Sequence, residues 1–99
     1  MVDVEIAYEE DVDNAISLIE DTCKNFEEKN KDEVKEEIEV LGVISLNASG
    51  VTIRVVGKSK PLSQWKMERE LRKEIKKTLD EAGVEIPYPK TQIVNNKFV

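Results

Sequence analysis

The sequence predicts an α+β fold in which two helices cover one face of an antiparallel sheet. Three observations support this prediction. β-type runs stand at residues 2–8, 38–46 and 51–56, two segments with helical periodicity follow the first and the third run, and a short β-type run closes the chain. The resulting order, βαββαβ, is the ferredoxin-like plan of a two-layer sandwich.

The first strand and the first helix are separated by a change in hydrophobic period. Residues 2–8 alternate apolar with mostly polar side chains, which is typical of a half-buried strand. Carboxylates at residues 9–11 and 13 crowd the predicted helix start, where they satisfy free N–H groups and the helix dipole. Apolar residues then recur at steps of three and four and predict a buried helix face of Val12, Ala15, Ile16, Ile19, Cys23 and Phe26. We expect the polar stretch 26–37 to hold the helix end and a loop.

The middle of the chain predicts an antiparallel hairpin. Two β-rich runs, 38–46 and 51–56, flank the turn-forming residues 47–50, which read Asn-Ala-Ser-Gly. Gly42 and Gly57 are candidates for bulges or strand ends.

The second helix is predicted to begin after Pro61, with Ser63 as its N-cap. Gly83 is the expected C′ residue, followed by Val84 for the accompanying hydrophobic contact. Trp65 lies off the apolar stripe, and we expect it to pack over a sheet edge or loop, with a subunit contact as the alternative. The stripe itself comprises Met67, Leu71, Ile75, Leu79 and Ala82, and the predicted i,i+4 charge pairs are Glu68/Arg72, Lys76/Asp80 and Lys77/Glu81.

A proline-marked segment follows Gly83. Pro87 and Pro89 lack backbone donors and favour an extended conformation in the residues before them. The sequence therefore divides into an α+β domain at 1–86 and a C-terminal arm at 87–99. The arm contains the predicted last strand, Lys90 to Val94.

Composition excludes several functional classes. The chain has no His and a single cysteine, so the commonest proton shuttle and metal ligand is missing, and an internal disulfide cannot form. Neither a catalytic constellation nor a phosphate-binding glycine loop is present. We therefore predict that the chain is not an enzyme and has no catalytic, cofactor-binding or metal-binding residues, and no cofactor.

Charge is distributed unevenly along the chain. Residues 1–50 carry 15 acidic and 4 basic residues, whereas residues 51–99 carry 6 acidic and 11 basic residues. These halves can attract each other within the fold or between copies, although solvated helix faces explain them as well. No basic cluster comes with aromatic residues, so we expect no nucleic-acid partner. No apolar run approaches the roughly 20 residues that cross a bilayer, and we expect the chain as given to be soluble.

Residues 51–94 resemble the C-terminal cytoplasmic domain of the small-conductance mechanosensitive channel family. The most specific block is IKKTLDEAGVEIPYP at residues 75–89, which joins a charged helix, a glycine and the two prolines. VDVEIAYEEDVDNAI at residues 2–16 agrees less specifically, as a strand, an acidic turn and a helix start. The resemblance covers nearly the whole chain.

The resemblance implies a subunit of a ring-shaped homo-oligomer, typically a heptamer, in the cell membrane. Such channels open under tension and release ions and osmolytes on hypo-osmotic shock. Their C-terminal domains form the wall of a cytoplasmic cage, and the strand after the prolines joins a barrel on the symmetry axis. By match to that motif, the subunit-interface residues are Ile86, Pro87, Tyr88, Pro89, Thr91, Gln92, Ile93 and Val94.

The sequence departs from the family pattern in what it lacks. The transmembrane helices and the β-rich domain that precede this part are absent, so we expect a cytoplasmic fragment with an assembly and filter role and no pore. Its membrane association would come only through those missing helices. The alternative is a free-standing ferredoxin-like regulatory module that binds a small ligand at a dimer interface, and a carboxylate-based metal-binding module is a third hypothesis.

Overall fold

The computed structural model describes residues 1–60 and 62–87. Within them the elements are β1 (Val2–Ala7), α1 (Val12–Lys29), β2 (Val34–Leu46), β3 (Gly50–Ser59) and α2 (Gln64–Glu81). This α+β arrangement confirms the predicted fold class and the first five elements of the predicted order. The predicted last strand, Lys90 to Val94, lies outside the described residues.

The sheet is antiparallel, with strand order β1-β3-β2. β3 is central because both other strands pair with it: Val4 of β1 and Val43 of β2 stand opposite Ile53 on its two sides. Among the described residues, neither β1 nor β2 has a second partner strand. The positions of these two edge strands determine where another chain could contact the sheet.

Both helices pack on one face of the sheet. The inward residues of the central strand, Ile53 and Val55, lie in one buried cluster with alternate residues of β1. The helix stripes complete this core with Ala15, Ile19, Cys23 and Phe26 of α1 and Met67, Leu71, Ile75 and Leu79 of α2. Both predicted helix faces are therefore confirmed in their central positions. Ala82, which was predicted to extend the second stripe, is exposed at the helix end.

α1 is longer than the sequence pattern predicts. Its N-cap is Asp11, whose carboxylate accepts a hydrogen bond from the Asn14 amide at 3.2 Å. The helix continues through Lys29 and ends at Asn30, whose carbonyl oxygen accepts from the amides of Glu33 and Val34 at 2.9 Å. This compact turn replaces most of the loop expected at residues 26–37.

β2 begins at Val34 rather than at Ile38, which corrects the predicted boundary. The polar residues at its start have weak strand propensity, but β3 extends to Ser59 and offers them backbone partners. Val34 stands opposite Ser59, and the Lys60 amide donates to the Glu33 carbonyl at 2.9 Å. Tertiary pairing thus sets this boundary.

The hairpin contains irregularities on the β2 side. Its register with β3 shifts at four places between Val34 and Ser45, and one shift lies beside Gly42. Gly42 has a φ of 101°, a conformation that residues with a Cβ rarely adopt. The prediction of a bulge at Gly42 is therefore confirmed, and Gly57 lies inside β3 at another register shift, between the pairs Glu36↔Lys58 and Glu39↔Val56.

α2 differs from its prediction at its N-terminus. Ser63 occupies the N-cap position but has helical rather than extended backbone angles and makes no capping bond, and its hydroxyl donates to the Glu33 carboxylate at 2.7 Å. Trp65 is 75% exposed, so the expectation that it packs over a sheet edge or loop was wrong. Among the predicted charge pairs, Lys76 Nζ lies 2.7 Å from Asp80 Oδ2.

Candidate assembly surfaces

The C-terminal end of α2 sets the path of residues 83–86. Gly83 has a φ of 77°, and its amide donates to the Asp80 carbonyl at 3.1 Å. The Val84 amide donates to the Leu79 carbonyl at 2.9 Å, which completes a Schellman motif. Val84 is buried against the core, as the sequence predicted. The helix therefore ends at a defined residue, and the chain leaves it in a fixed direction.

Two hydrogen bonds then attach this exit to the end of β1. The Ala7 amide donates to the Glu85 carbonyl at 3.1 Å, and the Glu85 amide donates to the Glu10 carboxylate. The Glu10 amide in turn donates to the Ala7 carbonyl at 3.1 Å, which closes the turn between β1 and α1. Both backbone groups of Glu85 are thus satisfied, and residues 84–86 are held beside β1.

The predicted subunit-interface residues fall on both sides of the limit of the described chain. Ile86 packs against the hydrophobic core while remaining partly exposed, and Pro87 is also partly exposed. Ile86 therefore has a structural role inside its own subunit, in addition to the predicted interface role. The other predicted interface residues lie outside the described residues, namely Tyr88, Pro89, Thr91, Gln92, Ile93 and Val94.

A second surface was missed by sequence reasoning. The distal half of β2 exposes four apolar side chains, Leu41, Val43, Ile44 and Leu46, which we call the β2 strip. Val43 and Leu46 stand opposite Ile53 and Val51, on the sheet face that the helices cover elsewhere, yet Leu46 is 73% exposed. The helices therefore leave this end of β2 bare.

The β2 strip had a signal in the sequence. Residues 38–46 read IEVLGVISL, a nearly continuous apolar run rather than the alternation of a strand with one solvated face. In a fold with helices on one face only, such a run leaves apolar side chains in solvent. A patch of this kind is typical of an interaction surface.

A third surface lies where β3 passes into α2. Leu62 is fully exposed and has a φ of 71°, and Trp65 projects from the first turn of α2. We call these two residues the α2 knob. Exposed tryptophan is uncommon on free surfaces and enriched in protein interfaces.

Little in the described chain suits a small ligand. An apolar cavity of about 50 Å³ lies between the strands and the start of α2, lined by Phe26, Val34, Ile38, Met67 and Leu71 among others. Typical ligand pockets measure about 300–1,000 Å³. A groove of about 310 Å³ between α1 and β2 reaches that size, but charged side chains of both signs line it.

Titratable clusters are also sparse. Residues 1–60 and 62–87 contain no group of three or more Asp, Glu or Cys side chains placed to hold a metal ion. Cys23 is buried, and burial, assisted by the charges of Glu27 and Glu20, raises the pKa of its thiol to about 12. Its thiol is therefore protonated at neutral pH and unreactive.

The helices within residues 1–60 and 62–87 are α1 and α2, each of 18 residues. Neither α1 nor α2 combines enough residues with sufficient apolar character.

Comparison with known proteins gives two matches. Residues 1–86 match the family described as "Mechanosensitive ion channel MscS, C-terminal". A small-conductance mechanosensitive channel from Caldanaerobacter subterraneus subsp. tengcongensis is 31% identical over 94 residues, which is 95% of this chain and 33% of the relative. The chain therefore spans about a third of the length of this curated relative.

Proposed function

Because this chain belongs to the MscS family of mechanosensitive ion channels, matching the family's C-terminal part over residues 1–86, we propose that it forms a wall of a channel's cytoplasmic vestibule. The family resemblance predicted from the IPYP block is thereby confirmed, and the family is one of channels, not of enzymes. The proposed channel releases ions and osmolytes on hypo-osmotic shock. The chain lies on the cytoplasmic side of the cell membrane in this proposal.

Assembly is the role that we assign to the arm, residues 87–99, and the α+β domain is residues 1–86. The observation that carries this assignment is the anchored exit at Glu85. Since the Schellman motif and the two bonds of Glu85 hold residues 84–86 beside β1, every copy would present its arm in the same direction. A common direction is what a symmetric ring of identical strands requires.

Other copies of the same subunit are therefore the proposed partners, as a homo-oligomer that is a heptamer in the whole channel. We assign the subunit contacts of the arm to Ile86, Pro87, Tyr88, Pro89, Thr91, Gln92, Ile93 and Val94. The vestibule wall would also filter permeating solutes, a role supported by the high density of charged side chains, 36% of the chain.

A chimeric channel tests the proposal. In it, the present chain replaces the matched third of the Caldanaerobacter relative, and a second version ends at residue 86. The full chimera should protect cells that lack mechanosensitive channels against hypo-osmotic shock. Failure of a correctly inserted and assembled chimera to protect them would contradict the channel function.

The truncated chimera tests the arm separately. Analytical ultracentrifugation in detergent should show weaker subunit association without residues 87–99, while the α+β domain stays folded. Protection of the buried Cys23 from a thiol reagent reports that folded state. Unchanged association and stability after the truncation would contradict the assembly role of the arm.

A further inference from the structure

The outer edge of β1, on the side away from β3, is open over most of its length in the described chain. The Ala7 amide points to this edge, because it donates to the Glu85 carbonyl. Its partner in β3, Gly50, accepts a hydrogen bond from the β2 side of the hairpin, so the two residues form a non-hydrogen-bonded pair. Since backbone direction alternates along a strand, the N–H and C=O groups of Asp3 and Glu5 also point outwards. Within residues 1–60 and 62–87, these groups have no backbone partner on that edge.

The segment that leaves α2 begins an antiparallel partner for this edge. Val84 is buried, Glu85 is exposed and Ile86 packs against the core, which is the alternation of a strand. A regular pair of Glu85 with Ala7 would have two backbone hydrogen bonds, of which one is present. Glu10 replaces the other, because its amide donates to the Ala7 carbonyl and its carboxylate accepts from the Glu85 amide. The segment is thus in register with β1 at one position.

Continuation of this register would meet both prolines of the C-terminal segment. Pro87 would stand opposite Glu5, and Pro89 would stand opposite Asp3, at the positions that require hydrogen bonds to β1. Proline has no N–H to donate, and its ring lies where that hydrogen would point. A slip of two residues keeps the prolines at such positions. A slip of one residue would turn the inward side chains of the segment out of the core.

The side chains of β1 do not protect its outer edge. Charged side chains, prolines and bulges commonly keep an edge strand from adding a further strand. The Asp3 carboxylate, however, is bonded to Arg54, and the Glu5 carboxylate accepts from the Ser49 hydroxyl at 3.1 Å. Both carboxylates are therefore drawn towards β3 and away from the outer edge. The register of β1 with β3 also has no shift. Protection against the chain's own C-terminal segment must then come from that segment.

We infer that Pro87 and Pro89 form a barrier that prevents the C-terminal segment from completing its own sheet along β1. Without the prolines, residues 87 and 89 could form two further hydrogen-bonded pairs within the subunit. Those pairs would compete with pairing between subunits. The consequence for assembly rests on the proposed function, since the barrier keeps the arm available to other copies. The barrier itself follows from the backbone chemistry of one subunit.

The main test variant combines Pro87→Thr with Pro89→Thr in the 99-residue chain. Threonine supplies the missing N–H group and favours strands. The control adds Lys90→Pro to this variant. In the same register, residue 90 directs its N–H position away from β1, so a proline there should leave the new pairing intact. The control therefore separates the position of a proline from the stiffness that it gives to the chain.

Amide hydrogen exchange measures the pairing, at a concentration at which sedimentation shows monomers. The amides of Asp3 and Glu5 should exchange about tenfold more slowly in the double variant than in the wild type. The control variant should keep this protection. The amides of Val4 and Ile6 face β3 and should be equally protected in all three proteins, which reports that the sheet is folded. In the chimeric channel defined above, the double variant should weaken subunit association several-fold.

Three results would overturn the inference. Unchanged exchange at Asp3 and Glu5 in the double variant would show that the prolines do not control pairing with β1. Loss of the protection on adding Lys90→Pro would show that the position of the proline is not decisive. Weaker association without added protection would show that the prolines act as subunit contacts instead. Added protection with unchanged association would contradict the assembly role of the arm and leave the barrier standing.

Discussion

The Ala7 amide donates to the carbonyl oxygen of Glu85 at 3.1 Å, so the end of β1 lies beside the segment that leaves α2. Only Ile86 separates Glu85 from Pro87, where the proposed arm starts. The path of residues 84–86 is therefore determined in part by contacts with the N-terminal strand, which is distant from them in sequence. Mutations near β1 should consequently affect assembly.

Glu10 gives the most direct test of this coupling, because its carboxylate accepts the Glu85 amide. Replacing Glu10 with Ala leaves that amide without its protein acceptor. We expect a loss of about 1 kcal/mol in the free energy of unfolding, measured by urea denaturation, together with weaker association of the chimeric channel. Glu10→Gln is the matched control, since its amide oxygen can still accept the bond. Equal effects of both variants would contradict a role for the hydrogen bond.

Gly83 gives a second test of the arm's exit. A Cβ at this position would meet no heavy atom within 4 Å, so the cost of a substitution is conformational rather than steric. The φ of 77° is unfavourable for alanine, and Gly83→Ala should destabilise the domain by about 1 kcal/mol. Asparagine tolerates this conformation better, and Gly83→Asn should cost less than Gly83→Ala. Thermal or chemical denaturation would show whether this order holds.

The spacing of apolar residues and the position of a glycine predicted the buried helix faces and the end of α2. The period of three and four placed Ile19 and Ile75 in the core, and the glycine at position 83 marked the end of α2. These features follow from side-chain periodicity and backbone conformation, which a single sequence displays.

Features that depend on tertiary pairing were not predictable in this way. β2 starts four residues earlier than expected because Ser59 pairs with Val34, and no local pattern reports that partner. The anchoring of Glu85 by Glu10 joins residues 75 positions apart. The exposure of Trp65 likewise depends on which distant elements of the chain lie beside the first turn of α2. Long-range geometry decided each of these three features.

A buried polar contact between the helices provides a third prediction. The Thr22 hydroxyl donates to the Leu18 carbonyl at 2.9 Å, and the Thr78 hydroxyl lies 2.9 Å from it on the facing helix. Thr22→Val and Thr78→Val keep the side-chain shape and should each destabilise the domain by about 1 kcal/mol. The double variant should cost less than the sum, because neither helix then retains an unpaired hydroxyl at this contact. Strict additivity in urea denaturation would show that the two hydroxyls act independently.

An ion pair on the outer face of the sheet should make the stability of the fold depend on pH. Asp3 and Arg54 stand opposite each other on β1 and β3, and Arg54 Nε and Nη2 lie 2.9 and 3.0 Å from the two carboxylate oxygens. These hydrogen bonds hold the pKa of Asp3 below its usual value. The ionised pair therefore stabilises the fold above the unfolded-state pKa of about 3.9, and this contribution is lost as the pH falls through the lower folded-state pKa.

Asp3→Asn isolates the contribution of this carboxylate charge. Near neutral pH the variant should be less stable than the wild type, by a small amount because both side chains are partly exposed. The difference should shrink as the pH falls below about 4, since Asp3 then becomes protonated in the wild type. Added salt should reduce it at neutral pH, because exposed charges are screened. Urea denaturation at a series of pH values measures the difference, and a value independent of pH would show that the charge of Asp3 does not stabilise the sheet.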